Sequence, residues 1–320
     1  MNEEALLQRA KEIFARIEQY DSVVIFGHAS PDGDCVGSVM GSKFALQEYY
    51  PDKKIYAVGT HPKYLPSFVE PSDDVDDETI KNSIALLVDL SDFKRVEDQR
   101  ILTAKEVVCF DHHISDHDAE FLTYRDEEAP SATYILAKVF FQIFGKVPQK
   151  AAPYLYLGLV TDSGRFQYDS KPETFEMAAK LSALGVDYKA IYRDLYKQSS
   201  KDLRFRSYVY NHFKVKGQVC YCLLPRKDYL KYGLTEDEAG HKVNLLSLVD
   251  GLPVWAMFSE NEDGSIRVEL RSDGFYNVQQ VAIQFNGGGH YAASGAKLTT
   301  FDDVPKVIAA LNKVRRDKNK

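Results

Sequence analysis

His28, Asp32 and Asp34 stand in the run His28-Ala-Ser-Pro-Asp-Gly-Asp34, directly behind the apolar segment 22–27. An imidazole and two alternate carboxylates at the end of an apolar strand are metal-ligand types, and open α/β sheets place their ligand sites at the carboxyl ends of strands. Asp32 and Asp34 lie two apart, so they need not serve the same ion. Pro31 and Gly33 suit a tight, non-helical loop. Taken alone, the run also describes an Asp-rich turn with a surface histidine.

The pattern recurs. The apolar run 83–88 ends in Asp89, and the run 106–110 ends in Asp111-His112-His113. A further apolar stretch, 154–160, ends in Thr161-Asp162-Ser163-Gly164-Arg165. Its Pro153 start and its length fit a helix better than a strand. One Asp after a strand is ordinary turn or cap chemistry. Four such ends, one carrying an Asp-His-His triplet, point to elements converging on a single crevice. Asp32, Asp34, Asp89 and Asp162 would repel one another there, and at least one would have its pKa raised. Two divalent ions neutralise them. Mixed carboxylate and imidazole ligation suits manganese better than calcium or magnesium, and no cysteine among these residues argues for zinc. Two ions about 3.5–4 Å apart are the usual device for phosphoryl hydrolysis.

His28-x-x-Pro31-Asp32-x-Asp34, Asp89, Asp111-His112-His113 and Asp162 resemble the four motifs of the DHH phosphoesterases. Gly287-Gly288-Gly289-His290-Tyr-Ala-Ala-Ser294-Gly295-Ala296 resembles the signature of the DHH-associated substrate domain. The resemblance spans nearly the whole chain in motif order and spacing. It implies that His28 and Asp32 hold one metal, that Asp34, His112 and Asp162 hold the other, and that Asp89 bridges them. It also implies that His113 contacts the scissile phosphate or its leaving oxygen. Asp111 is expected to serve as the acceptor that an imidazole ligand needs.

On the substrate side, Gly287, Gly288 and Gly289 would let a backbone approach a phosphate closely, and His290 could donate to it. Arg271, at the end of an alternating apolar and charged run, could clamp a phosphate bidentately. Arg165 follows Asp162 in a loop, and Ser131 begins a helix whose N-terminus could face an anion. The 20 tyrosines make base stacking available, without indicating which ring supplies it.

The elements that must position these residues alternate. Helical spacing covers 3–18, 35–49, 131–144, 150–160 and 171–184, and strands are expected at 22–27, 55–58, 83–88 and 106–110. Residues 60–77 read as loop or short turns. The fold class is therefore α/β, a doubly wound parallel-sheet metal domain over 1–188. A helical linker over 189–212 and a smaller α+β substrate-binding domain over 213–320 follow. The second domain is expected to hold strands at 213–224, 254–259 and 266–271, helices at 236–249 and 278–285, a glycine loop, and a last helix from Pro305. The active site is expected in a cleft between the domains.

Composition bounds the partners. The 320 residues carry a formal net charge of −7. That argues against a groove for long nucleic acid, which normally leaves a basic footprint. It leaves room for a small anionic substrate. The four cysteines show no disulfide framework, and Cys220 and Cys222 read as two residues on one strand face. No signal peptide or membrane span is evident, and a cytoplasmic protein, compatible with a homodimer, is expected. The basic end 313–320 reads as a solvated helix end and frayed terminus.

The family resemblance implies hydrolysis of very short RNA to nucleoside 5′-monophosphates, with removal of the 3′-phosphate of 3′-phosphoadenosine 5′-phosphate (pAp) beside it. Rival readings are a phosphodiesterase for the linear dinucleotide pApA or cyclic di-AMP, a non-catalytic nucleotide sensor, and an RNA-binding module. Family II pyrophosphatase is disfavoured by the Gly-Gly-Gly-His signature.

Overall fold

The computed structural model describes residues 2–60, 65, 72–90, 92–113, 121–247 and 249–318. The chain divides into two compact units, Met1–Lys197 and Gln198–Lys320.

The first unit opens with α1 (Glu3–Ile17), capped by the Asn2 side chain, which accepts from Ala5 N at 2.9 Å. Its buried stripe of Leu6, Ala10, Ile13, Phe14 and Ile17 has the period of an amphipathic helix. Then follow β1 (Ser22–Phe26), α2 (Gly33–Tyr49), β2 (Lys54–Ala57), α3 (Asp77–Asn82), β3 (Ile84–Val88), β4 (Glu106–Asp111) and β5 (Leu122–Arg125). The helices α4 (Ala132–Phe144), α5 (Ala152–Asp162), α6 (Pro172–Ser182) and α7 (Tyr188–Tyr196) complete the unit. The five strands form one parallel sheet in the order β2-β1-β3-β4-β5. Val23, Ile25, Leu86, Val88 and Phe110 pack on one face, and Val24, Phe26, Leu87 and Cys109 on the other. Burial on both faces explains why these strands read as unbroken apolar runs. The order reverses between β1 and β3, and a doubly wound sheet opens its ligand crevice at that point. His28 and Asp89 follow these two strands.

Helix α2 starts two residues earlier than its spacing suggests. The Asp32 side chain accepts from Asp34 N and Cys35 N, both at 3.0 Å, so it is the N-cap, and Gly33 and Asp34 lie in the first turn rather than in a loop. Helices α2 and α5 approach to backbone contact. A Cβ on Gly37 would lie 2.5 Å from the Tyr154 carbonyl oxygen, and one on Gly158 would lie 2.5 Å from Asp34 Oδ1. This packing carries Asp34 on α2 and Asp162 on α5 to the same end of the unit. Strand β5 has no apolar run to announce it: it is four residues long and only Tyr124 is buried. Residues 61–64 and 66–71 of the expected loop lie outside the described residues.

The second unit runs α8 (Ser200–His212), β6 (Lys214–Lys216), β7 (Val219–Leu224), α9 (Arg226–Leu230), α10 (Glu236–Gly240), β8 (Val254–Glu260), β9 (Ile266–Ser272), α11 (Gln279–Gln284), β10 (Gly288–Gly289), β11 (Ala293–Leu298) and α12 (Val304–Leu311). Its mixed sheet has the order β10-β11-β9-β8-β7-β6, with β7 and β8 parallel and the other pairs antiparallel. The strand-like stretch 213–224 is a hairpin split at Gly217, whose φ is +61°. The expected helix at 236–249 is shorter, passing from α10 into a 3-10 turn over His241–Leu246. Cys220 and Cys222 are both buried and free, packed with Trp255 and Met257.

Two expectations are corrected here. The glycine motif is not an open loop, because Gly288 and Gly289 pair antiparallel with Gly295 and Ser294. The basic end is not frayed through Asp317. Val314 is buried, Asp317 N donates to Phe275 O at 2.7 Å, and the Arg316 guanidinium lies 4.4 Å from the Phe275 ring centre. No helix among the described residues is long and apolar enough to cross a membrane.

Candidate metal centre

Six residues from five strand or helix ends meet in the first unit. His28 Nε2 lies 3.5 Å from Asp89 Oδ2 and 3.9 Å from Asp32 Oδ1. His112 Nε2 lies 3.4 Å from Asp89 Oδ1, 3.3 Å from Asp162 Oδ2 and 3.7 Å from Asp34 Oδ2. Asp89 thus touches both imidazoles, one with each oxygen. Its backbone is left-handed, with φ +63°, a conformation Asp tolerates better than most residues. That kink at the end of β3 turns the carboxylate inward.

Each imidazole is oriented from behind. His28 Nδ1 lies 2.9 Å from the Ala29 carbonyl and His112 Nδ1 3.3 Å from the Ala129 carbonyl, which leaves Nε2 of both rings facing the cluster. Asp111 holds neither of these two rings. Its Oδ1 instead takes His113 Nδ1 at 2.8 Å and His113 N at 3.2 Å, while Arg125 Nε stands 3.8 Å from Oδ2. The His113 side chain, 37% exposed, stands at the rim.

Asp34 is fully buried at the N-terminus of α4. Its Oδ2 accepts from Ala132 N at 2.7 Å, and its Oδ1 accepts from Thr133 N at 3.0 Å and the Thr133 hydroxyl at 2.6 Å. The helix end does face an anion, as the sequence suggests, but the anion is the chain's own carboxylate. Ser131 is buried, caps α4 through Tyr134 N at 3.0 Å, and leaves the substrate set. Thr133 takes its place as the residue that sequence reasoning missed; its only signal is its position two after a helix cap.

The charges are in conflict without a cation. Burial and the Asp89 and Asp162 charges push the Asp34 carboxyl well above its usual range, and burial with Asp89 and Asp32 pushes Asp162 up too. Burial works against a charged imidazole, yet Asp89 and Cys35 hold His28 at about 11, and Asp162 and Asp89 hold His112 at about 11. Burial alone would raise Asp89, but His112 and His28 outweigh it and keep it down at about 2. Asp89 Oδ1 is buried without a hydrogen-bond partner.

These features fit divalent cations. Ligand atoms lie about 2.0–2.2 Å from such an ion, so two ligand atoms sharing one ion can stand up to about 4.4 Å apart. The imidazole-to-carboxylate distances of 3.3–3.9 Å fall inside that span. Among the described residues, three groups have ligand atoms within 4.8 Å of one another: His28, Cys35 and Asp89; Asp89, His112 and His113; Asp34, His112 and Asp162. The first contains a cysteine that the sequence reading passed over. Cys35 Sγ accepts from His28 N at 3.3 Å, and burial raises its thiol.

In the second unit, Arg271 is not free to clamp a phosphate. Its Nη2 pairs with Glu269 at 3.1 Å and its Nη1 donates to the Leu270 carbonyl at 2.9 Å. His290 is exposed beside a pinned turn, where His290 N donates to Ala293 O at 2.7 Å. The three glycines have different reasons. A Cβ on Gly287 would lie 2.1 Å from the Gly295 carbonyl oxygen and one on Gly289 2.7 Å from that of Ala293, whereas a Cβ on Gly288 would meet nothing within 4 Å. Gly287→Ala and Gly289→Ala are therefore expected to destabilise the unit in thermal unfolding. Gly288→Ala is expected to leave its stability unchanged and to raise KM about tenfold, through loss of a close backbone contact to phosphate. An unchanged KM would reduce the triple glycine to strand packing.

Residues 22–159 match the DHH family N-terminal domain, and residues 216–317 match the DHHA1 domain. The bifunctional oligoribonuclease and PAP phosphatase NrnA of Mycoplasma genitalium is 33% identical over 305 residues, 93% of this chain and 95% of the relative. The protein of the same name from Bacillus subtilis is 30% identical over 305 residues, 94% of this chain and 96% of the relative. The crystal structure of an exopolyphosphatase-related protein from Bacteroides fragilis superimposes with a TM-score of 0.83 at 24% identity, over 96% of each chain, a likeness of fold. With relatives aligned along nearly its whole length and both domains matched in order, the chain belongs to the DHH family of phosphoesterases, in its DHH–DHHA1 form.

Proposed function

We propose that this protein hydrolyses very short oligoribonucleotides to nucleoside 5′-monophosphates and removes the 3′-phosphate of pAp, using two divalent cations, manganese first among them. The observation that carries the reading is Asp89, which sets one carboxylate oxygen against each of two imidazoles within an acid cluster at the switch point of the sheet. The names of the relatives point to the same two substrates.

Bound cations supply an activated water and stabilise the attacking and leaving oxygens of an in-line displacement. His28, Asp32 and Asp89 would hold one, and Asp34, His112, Asp162 and Asp89 the other. The α4 N-terminus fixes Asp34, and the Ala29 and Ala129 carbonyls fix the two rings. In the reaction a P–O bond forms from water and the P–O3′ ester bond breaks. His113, with Nδ1 held by Asp111, presents Nε2 at the rim to give the leaving 3′-oxygen its proton. His290 and the Gly288 backbone would take the substrate's terminal phosphate.

The protons held by the cation-free site set a pH dependence. The His28 and His112 imidazoles, held at about 11, carry protons near neutral pH, and they must lose those protons to become ligands. Manganese binding is therefore expected to release protons, and its affinity to rise with pH. Calorimetric titrations in two buffers of different ionisation enthalpy measure the release, and none at neutral pH would contradict the ligand set.

The function is tested by manganese-dependent turnover of 5′-phosphorylated di- to pentaribonucleotides, pAp, pApA, cyclic di-AMP and pyrophosphate. Release of monophosphates from the short RNAs and of phosphate from pAp is expected. Activity on cyclic di-AMP or pApA alone would reassign the protein to signalling-nucleotide turnover. No hydrolysis of any member would sink the enzymatic reading and favour a nucleotide sensor.

A further inference from the structure

Two residues beyond Asp162 the backbone enters an unusual conformation. Gly164, Arg165 and Phe166 are all left-handed, with φ of +59°, +61° and +64°. Two successive non-glycine residues there are strained, and such strain gathers at functional sites. It is held by Arg165 N donating to Val160 O at 2.7 Å and Phe166 N donating to Ser163 Oγ at 3.1 Å. The result is that the Arg165 guanidinium lies 4.8 Å from the Tyr196 ring centre on α7. No ion-pair partner of Arg165 is found among the described residues.

Helix α7 continues this surface. Tyr188, Tyr192 and Tyr196 recur every four residues, and so share one side of the helix. Tyr192 and Tyr196 stack at 14° with ring centres 6.0 Å apart. Tyr188 and Tyr196 are 46% and 56% exposed. Arg193 and Lys197, each next in sequence to one of these tyrosines, are also exposed. The acids of this segment point elsewhere: Asp194 is buried, and Asp187 caps the helix by accepting from Ala190 N at 3.1 Å. A chain with a net charge of −7 thus presents here a face of rings and cations.

We propose that Arg165, Tyr196 and Tyr192 form a stacking subsite for the nucleobase that follows the scissile phosphate, with Arg193 and Lys197 facing the next phosphate. Rings accept any base by stacking, and guanidinium groups add cation–π and phosphate contacts, which together give sequence-tolerant binding of single strands. The subsite begins three residues from Asp162, so its ligand is the part of the oligoribonucleotide carried by the attacked phosphorus. This rests on the oligoribonucleotide reading above. It adds that dinucleotides and longer RNAs use a surface that pAp, with a single base, does not fill.

The test compares wild type, Tyr196→Ala, Tyr196→Trp and Arg165→Gln on a 5′-phosphorylated diribonucleotide and on pAp. In Tyr196→Ala, KM for the dinucleotide is expected to rise about ten- to hundredfold with kcat little altered, and the preference for dinucleotide over pAp to fall by the same factor. Tyr196→Trp is expected to restore both, and Arg165→Gln to weaken dinucleotide binding in the same direction. Separately, a dinucleotide with a methylenephosphonate in place of the scissile ester and 2-aminopurine as its second base is titrated into each full-length protein. Its fluorescence is expected to be quenched by wild type and Tyr196→Trp and much less by Tyr196→Ala. An unchanged KM in Tyr196→Ala, an equal rise for pAp, or undiminished quenching would each overturn the proposal; the second outcome would mark Tyr196 as structural. If wild type cleaves no RNA, the oligoribonucleotide reading fails, and the quenching still decides whether the rings stack a base.

Discussion

Asp89→Asn is expected to lose at least about a thousandfold in kcat/KM on every substrate, or roughly 4 kcal/mol of transition-state stabilisation. Asp89 is the one carboxylate that meets both imidazoles, so its loss weakens both cation sites together. Asparagine keeps the shape of the side chain and shares its tolerance of the left-handed backbone that Asp89 adopts at φ +63°. The protein is therefore expected to fold, and circular dichroism with metal analysis of the purified variant separates a lost site from a lost fold. Asp32→Asn, whose imidazole contact is with His28 alone among the described residues, is expected to cost less. Turnover by Asp89→Asn within tenfold of wild type would remove Asp89 as the bridge.

The second large effect is on stability. Gly37→Ala places a Cβ 2.5 Å from the Tyr154 carbonyl oxygen, and that atom belongs to the backbone of α5 rather than to a flexible side chain. The two helices must separate, at a cost of about 3 kcal/mol, which corresponds to roughly 6–12 °C in Tm for a unit of this size. Activity is expected to fall beyond the loss of stability, because Asp34 rides on α2 and Asp162 on α5. Manganese is expected to raise the variant's Tm, since cation binding favours the closed helix pair. A Tm within a degree or two of wild type would mean that the α2 and α5 contact is looser than the structure describes. Gly288→Ala serves as the control, since its Cβ enters open space.

Much of the metal centre is legible in one dimension. A buried parallel strand is a short apolar run, and a ligand at its carboxyl end is the next polar residue. His28, Asp89 and Asp111-His112-His113 could be read in this way without an alignment. The helix start is legible at Ser131, whereas at Asp32 the ligand type hides the cap, because the same side chain suits both. Strand β5 was missed, since four residues with one buried side chain leave no period to find.

The remaining decisions are pairwise and belong to the folded chain. Asp34 and Thr133 are 99 positions apart, and only helix packing makes one the hydrogen-bond partner of the other. The sequence leaves open which imidazole Asp111 holds, and the folded chain pairs it with His113. Arg271 reads in sequence as a possible phosphate clamp, and in the fold it is paired with Glu269, two residues along the same strand face, which it shares with Arg267. The three glycines read in sequence as one loop that lets a backbone approach a phosphate, and cross-strand contacts divide them into two that packing requires and one that it leaves open. The fold class and the side chains of metal-ligand type at the strand ends are thus legible in one dimension, because strand burial and chain-end chemistry are local. Tertiary structure decided which groups share a proton, a charge or a close contact, because these depend on distances between segments that no local pattern encodes.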